Sequence, residues 1–87
     1  MKLWLLKRPE GASPLYDTNW GFVIRAKSEK AAREMASAIP GDENRYSWEG
    51  SRRIIVDSPW LHSEQTTCVP LAARGETEIV LRDFNAG

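Results

Sequence analysis

Trp20-Gly21-Phe22-Val23-Ile24-Arg25-Ala26, followed at once by Lys27-Ser28-Glu29-Lys30-Ala31-Ala32-Arg33-Glu34-Met35-Ala36-Ser37-Ala38-Ile39-Pro40-Gly41, is the stretch that decides the fold. Its first part alternates: Phe22, Ile24 and Ala26 line one face of a strand, while Val23 and Arg25 line the other. The period then changes. Ala32, Met35, Ala36 and Ile39 recur at i, i+3, i+4 and i+7, which predicts one helical stripe against a core. Ser28 stands where an N-cap hydroxyl accepts from an unpaired first-turn N–H, and Pro40-Gly41 stops the helix. Glu29 with Arg33, and Lys30 with Glu34, are i,i+4 pairs expected on the solvent side. The alanines between 31 and 38 leave little bulk, so this helix can lie close against a sheet.

Working outward, Leu3-Trp4-Leu5-Leu6 between Lys2 and Lys7 predicts a short strand, apolar on both faces. Residues 9–19 gather two Pro, one Gly, one Asp and one Asn, the composition of a long loop. Toward the other end, Thr66 to Leu71, a turn around Ala73-Arg74-Gly75, and Thr77 to Phe84 predict a hairpin. Residues 42–64 read two ways, as a strand on Ile54-Ile55-Val56 or as an ordered loop. The order β-β-α-(β)-β-β predicts an α+β fold. It would be a small two-layer sandwich, an antiparallel sheet of four or five strands covered by one amphipathic helix. Residues 1–87 form a single domain in this reading. The second sheet face would carry some of Trp4, Leu6, Val23 and Val80, with loops 9–19 and 42–64 or a second protomer to cover it. A homo-oligomer is therefore expected.

Composition narrows the function classes. Twelve Lys and Arg balance twelve Asp and Glu, which argues against a basic footprint for DNA and equally against an acidic DNA mimic. One Cys and one His exclude a disulfide framework and a multi-Cys or His-rich zinc site, so no metal or cofactor is expected. The longest apolar runs are far short of a membrane span, and Lys7-Arg8 ends the first of them. The expected setting is the cytoplasm, that of a host cell if the chain is phage-encoded.

Two constellations invite a chemical reading. Cys68 with His62 is the only nucleophile–base combination, but Cys68 between Thr67 and Val69 fits a buried small hydrophobe, and an enzyme is not expected. The denser cluster is Arg45, Tyr46, Trp48, Arg52, Arg53 and Trp60, with His62 just beyond. Rings stack on planar ligands and guanidinium forks pair with phosphate or carboxylate, so these six are the candidate ligand- or partner-binding residues. The plain alternative is that a small domain recruits Trp and Tyr to cover its sheet. In the Tyr16–Trp20 loop, Asp17 and Asn19 suit turn chemistry, and Trp20 could anchor the loop.

Three segments carry a resemblance. They are Phe22 to Ala36 with Gly41-Asp42-Glu43, then Thr66-Thr67-Cys68 with Leu71, then Ile79-Val80-Leu81-Arg82-Asp83-Phe84. Together they resemble a group of small uncharacterised proteins of phages, prophages and bacterial genomes. Residues 44–64 depart from it, being longer than that group's acidic, Trp-containing linker. The resemblance implies a non-enzymatic accessory protein, acting against host defence by stoichiometric binding. Two modes follow: sequestration of a nucleotide-like immune signal, or occlusion of a host defence complex in the manner of an anti-CRISPR protein. An interaction module without a defence role is the third reading.

Overall fold

The computed structural model describes residues 1–9 and 17–71. The elements in chain order are β1 (Lys2–Lys7), β2 (Gly21–Ala26), α1 (Glu29–Ser37), β3 (Arg45–Glu49), β4 (Arg52–Asp57), a 3-10 turn at Pro59–Leu61, and β5 (Thr67–Leu71). The α+β class is as the sequence predicts, but the five described strands form two antiparallel sheets rather than one. One sheet has the order β2-β1-β5, and the other is a ribbon of β3 and β4. The partner strand expected at Thr77–Phe84 lies outside the described residues.

Helix α1 starts where the cap demands it: the Ser28 hydroxyl accepts from Ala31 N–H at 3.1 Å. It stops short of Pro40, with Ile39 N–H bonded back to the Ala36 carbonyl at 3.1 Å and the Asn44 amide donating to the Ile39 carbonyl at 2.9 Å. Ala32 and Ala36 are fully buried against Leu6, Ile24, Ala26 and Cys68. Trp60 completes this core from the 3-10 turn, its ring edge-on to Phe22 with centroids 4.9 Å apart. The alternation expected for β2 holds, since Ile24 and Ala26 are buried while Val23 is exposed.

The buried face of the helix is not the expected one. Met35 and Ile39 are exposed, whereas Arg33 is buried. Relative to the predicted stripe the helix is rotated by roughly 60°, at 3.6 residues per turn. The cause lies in the Arg33 guanidinium, which finds acceptors inside. Its Nη1 donates to the Trp60 carbonyl at 3.0 Å and to Thr66 Oγ1 at 2.9 Å, and its Nη2 donates to the Thr66 carbonyl at 3.1 Å. Its Nε donates to Glu29 Oε2 at 2.8 Å, so the predicted i,i+4 pair forms with its basic member inside the fold. A buried cation is tolerable only when its donors are met, and here every nitrogen of the fork is engaged. The Lys30–Glu34 pair lies on the solvent side as expected, at 3.9 Å.

A second polar node joins the loops. Glu43 accepts from Asn19 N–H and from the Asn19 amide, both at 3.1 Å, and from Trp60 Nε1 at 2.7 Å. The Asn19 amide also donates to the Pro40 carbonyl at 2.9 Å, and Asp42 N–H to the Asp17 carbonyl at 3.0 Å. Asp17 takes a positive φ of 53°, which suits the turn role expected of it. Gly41 sits so close to the Glu43 carboxylate and the Asn19 amide that a Cβ there would collide with both. Among the described residues no helix is long and apolar enough to cross a membrane.

Candidate functional site: the β3–β4 ribbon

Residues 42–64 hold more structure than either sequence reading allowed. Arg45–Glu49 pairs with Arg52–Asp57 through the register Glu49 to Arg52, Trp48 to Arg53, Ser47 to Ile54 and Tyr46 to Ile55. A register shift between Arg45 and Tyr46 then sets Arg45 opposite Asp57. Gly50-Ser51 closes the hairpin, with Gly50 at φ 63°. That is the positive φ a two-residue hairpin turn needs at its first central position, and glycine takes it without a Cβ penalty. Val56 is the extra residue at the shift, a bulge that ends the regular pairing.

The ribbon contacts itself far more than it contacts any other described element. It is held at its base. Tyr46 Oη donates to the Gly41 carbonyl at 3.1 Å and accepts from Gly41 N–H at 3.0 Å. At the other strand, Asp57 Oδ1 meets His62 Nε2 and also accepts from Ser58 N–H, at 2.8 and 2.9 Å. These contacts, the His62 hydrogen bond foremost, hold the Asp57 carboxyl below its usual value. Ser58 is buried and donates to Asn44, tying the two ends of the ribbon together.

Strand alternation sorts the six candidate residues. Tyr46, Trp48 and Arg53 share one face. There the Arg53 guanidinium lies 3.7 Å above the Tyr46 ring centroid, a cation–π stack that orients the fork. Trp48 is directly across from Arg53 and is 69% exposed. Arg45 and Arg52 fall on the opposite face with Ser47 and Glu49. Trp60 is not part of this surface: it is fully buried and its indole N–H is committed to Glu43. For Trp60 the plain reading, an aromatic recruited to a small core, is the correct one.

The two residues weighed for catalysis have different surroundings. Cys68 faces the core opposite Leu6 in the β1–β5 register, and burial pushes its thiol pKa up. His62 turns instead to Asp57, with Glu64 at 3.6 Å from its other ring nitrogen. Among the described residues no three His, Cys, Asp or Glu side chains cluster to hold a metal ion. An open groove of about 530 Å³ between α1 and the 3-10 turn is lined by Glu29, Lys30, Arg33, Glu34, Leu61 and Ser63. A second, of about 260 Å³, takes Ile55 and Val56 from the ribbon but none of its aromatic or arginine side chains.

The sequence signal for this hairpin was Gly50-Ser51, a Gly-Ser dipeptide between two runs of strand-forming residues. No protein-family model, curated protein or solved structure matches the chain.

Proposed function

We propose that this protein is a binding protein rather than an enzyme, and that it engages a partner macromolecule through the Tyr46–Trp48–Arg53 face of the ribbon. The observation that carries the reading is Trp48, 69% exposed beside an arginine already stacked on a tyrosine. Trp, Tyr and Arg are the residue types that dominate binding hot spots, because each combines a large apolar body with directed polar groups. Holding Arg53 on Tyr46 lowers the entropy lost when its free donors meet an acceptor.

The same side chains serve the other expected mode, capture of a nucleotide-like anion. The surface reading is favoured because Arg53 already covers Tyr46, and neither groove described above is lined by these groups. A host defence complex, the partner class that the resemblance suggests, is the first to try.

The test compares the wild type with Trp48→Ser/Arg53→Ala in pull-down from a host lysate, alongside thermal shift with a panel of cyclic nucleotides. A partner retained by the wild type and lost by a folded double variant supports the proposal. Identical retention by both proteins refutes it. A concentration-dependent rise in Tm with a nucleotide, lost in the variant, moves the function to the sequestration mode.

A further inference from the structure

Among the described residues the ribbon has an unpaired edge as well as a face. β3 pairs only with β4 among the described residues, and Ser47, Trp48 and Glu49 are exposed along it. An unpaired edge is a template for a further strand, and a two-stranded ribbon alone is marginally stable in water.

Its sequence is complementary to itself. β3 reads Arg45-Tyr46-Ser47-Trp48-Glu49, so an antiparallel copy centred on Ser47 sets Arg45 against Glu49, Tyr46 against Trp48, and Ser47 against Ser47. Each unlike pair occurs twice by symmetry: two opposite-charge pairs and two aromatic pairs. Neither Arg45 nor Glu49 forms an ion pair among the described residues.

The backbone agrees with this register. Glu49 and Arg52 flank the two-residue turn as a hydrogen-bonded pair, and bonding alternates from there. Ser47 therefore directs its N–H and C=O toward β4, while Tyr46 and Trp48 direct theirs to the free edge. Centring on Ser47 joins those outward groups into two hydrogen-bonded pairs, Tyr46 with Trp48 of the copy and the reverse. Moving the centre to Tyr46 or Trp48 also pairs outward groups but loses both charge pairs.

We infer that the chain forms a two-fold homodimer by β3-to-β3 pairing, giving a four-stranded sheet of order β4-β3-β3-β4 across the two copies. The pairing is tested at Arg45, Ser47 and Glu49, which lie on the face opposite the proposed partner surface, so either reading can fail without the other. In the dimer the Tyr46–Trp48–Arg53 faces of both copies form one continuous platform.

Sedimentation velocity over a range of concentrations gives the first measurement, with an apparent mass twice that of the chain expected. Arg45→Glu alone and Glu49→Arg alone each place like charges opposite, and each should raise the dissociation constant about tenfold or more. An equimolar mixture of these two variants should recover dimer, because both charge pairs between unlike copies are then opposite in sign. Ser47→Cys should cross-link under mild oxidation, since a non-hydrogen-bonded cross-strand pair brings Cα atoms to disulfide distance. Glu49→Cys should not, because its counterpart is Arg45. A monomer at all concentrations overturns the inference, as does a dimer indifferent to both charge changes. Cross-linking through Glu49→Cys but not Ser47→Cys overturns the register. The cysteine arms need no charge variant to fold.

Discussion

Replacing Arg33 with alanine should be among the most damaging single changes in the described structure. The substitution removes the donors to two backbone carbonyls, those of Trp60 and Thr66, beneath the helix. A buried acceptor left without a donor costs about 1–3 kcal/mol. Thr66 Oγ1 keeps partners in the Pro59 and His62 carbonyls, at 2.8 and 3.2 Å, so its loss counts for little. Glu29 is half-exposed and regains water. The two carbonyls together give about 2–6 kcal/mol, a large share of the stability of a domain this small. Arg33→Lys keeps the charge but offers one ammonium where a fork served three residues, and should lose roughly 1–3 kcal/mol. Met35→Asp is the contrast. Met35 is 54% exposed, so this change should shift stability by less than about 0.5 kcal/mol, although the hydrophobic periodicity of the helix predicts a buried Met35. Urea unfolding, followed by tryptophan fluorescence and far-ultraviolet circular dichroism, measures all three. An Arg33→Ala midpoint equal to that of the wild type, or a Met35→Asp loss of several kcal/mol, would refute the helix orientation.

Gly50→Ala should cost roughly 1–2 kcal/mol through backbone strain alone, because a Cβ there meets nothing yet φ is positive. Gly50→Asn should cost less, since Asn tolerates that region, and equal losses in thermal unfolding would contradict the turn geometry. For Asp57, whose folded carboxyl is held below its unfolded value, the contribution to stability is fully present above the usual carboxylate range. It is lost as pH falls through the depressed value. Asp57→Asn should therefore flatten the stability profile below about pH 4. An unaltered acid limb would show that the His62 contact is not populated.

Where local chemistry alone decides an element, the sequence reading agrees with the structure. The alternation of β2, the Ser28 cap and the buried Cys68 depend on neighbours within a few positions. Three features depended on distant groups. Helix rotation was set by carbonyls 27 and 33 positions away from Arg33, which no helical periodicity contains. Trp60 was grouped with its sequence neighbours Arg52 and Arg53, but a three-residue 3-10 turn carries it into the core to meet Phe22 and Glu43. The ribbon was missed when residues 42–64 were read as one strand or a loop, although Gly50-Ser51 is a local hairpin signal. β3 has only one clearly apolar ring per turn of the pleat, and its Arg and Glu ends read as loop. The candidate cluster was recognised by residue type, whereas its division into two faces follows from a register that only the closed hairpin fixes.

The strand order β2-β1-β5 has a consequence for the order in which the chain can fold during synthesis. Of the three described strands in that sheet, the one made first, β1, is the central one. It can zip to β2 soon after residue 26 emerges, and α1 can settle on that pair through Ala32 and Ala36. At that stage the interior is still open on the side that Trp60 and Cys68 will close, and the Arg33 guanidinium has no carbonyls to meet. Both deficits end together when residues 60–71 arrive, because Trp60, Thr66 and Cys68 belong to one short segment. The nascent domain is thus a half-built sandwich with an exposed apolar seam until its last described strand docks. The closing step is a long-range pairing of β1 with β5, the kind of contact whose loop-closure entropy makes it slow.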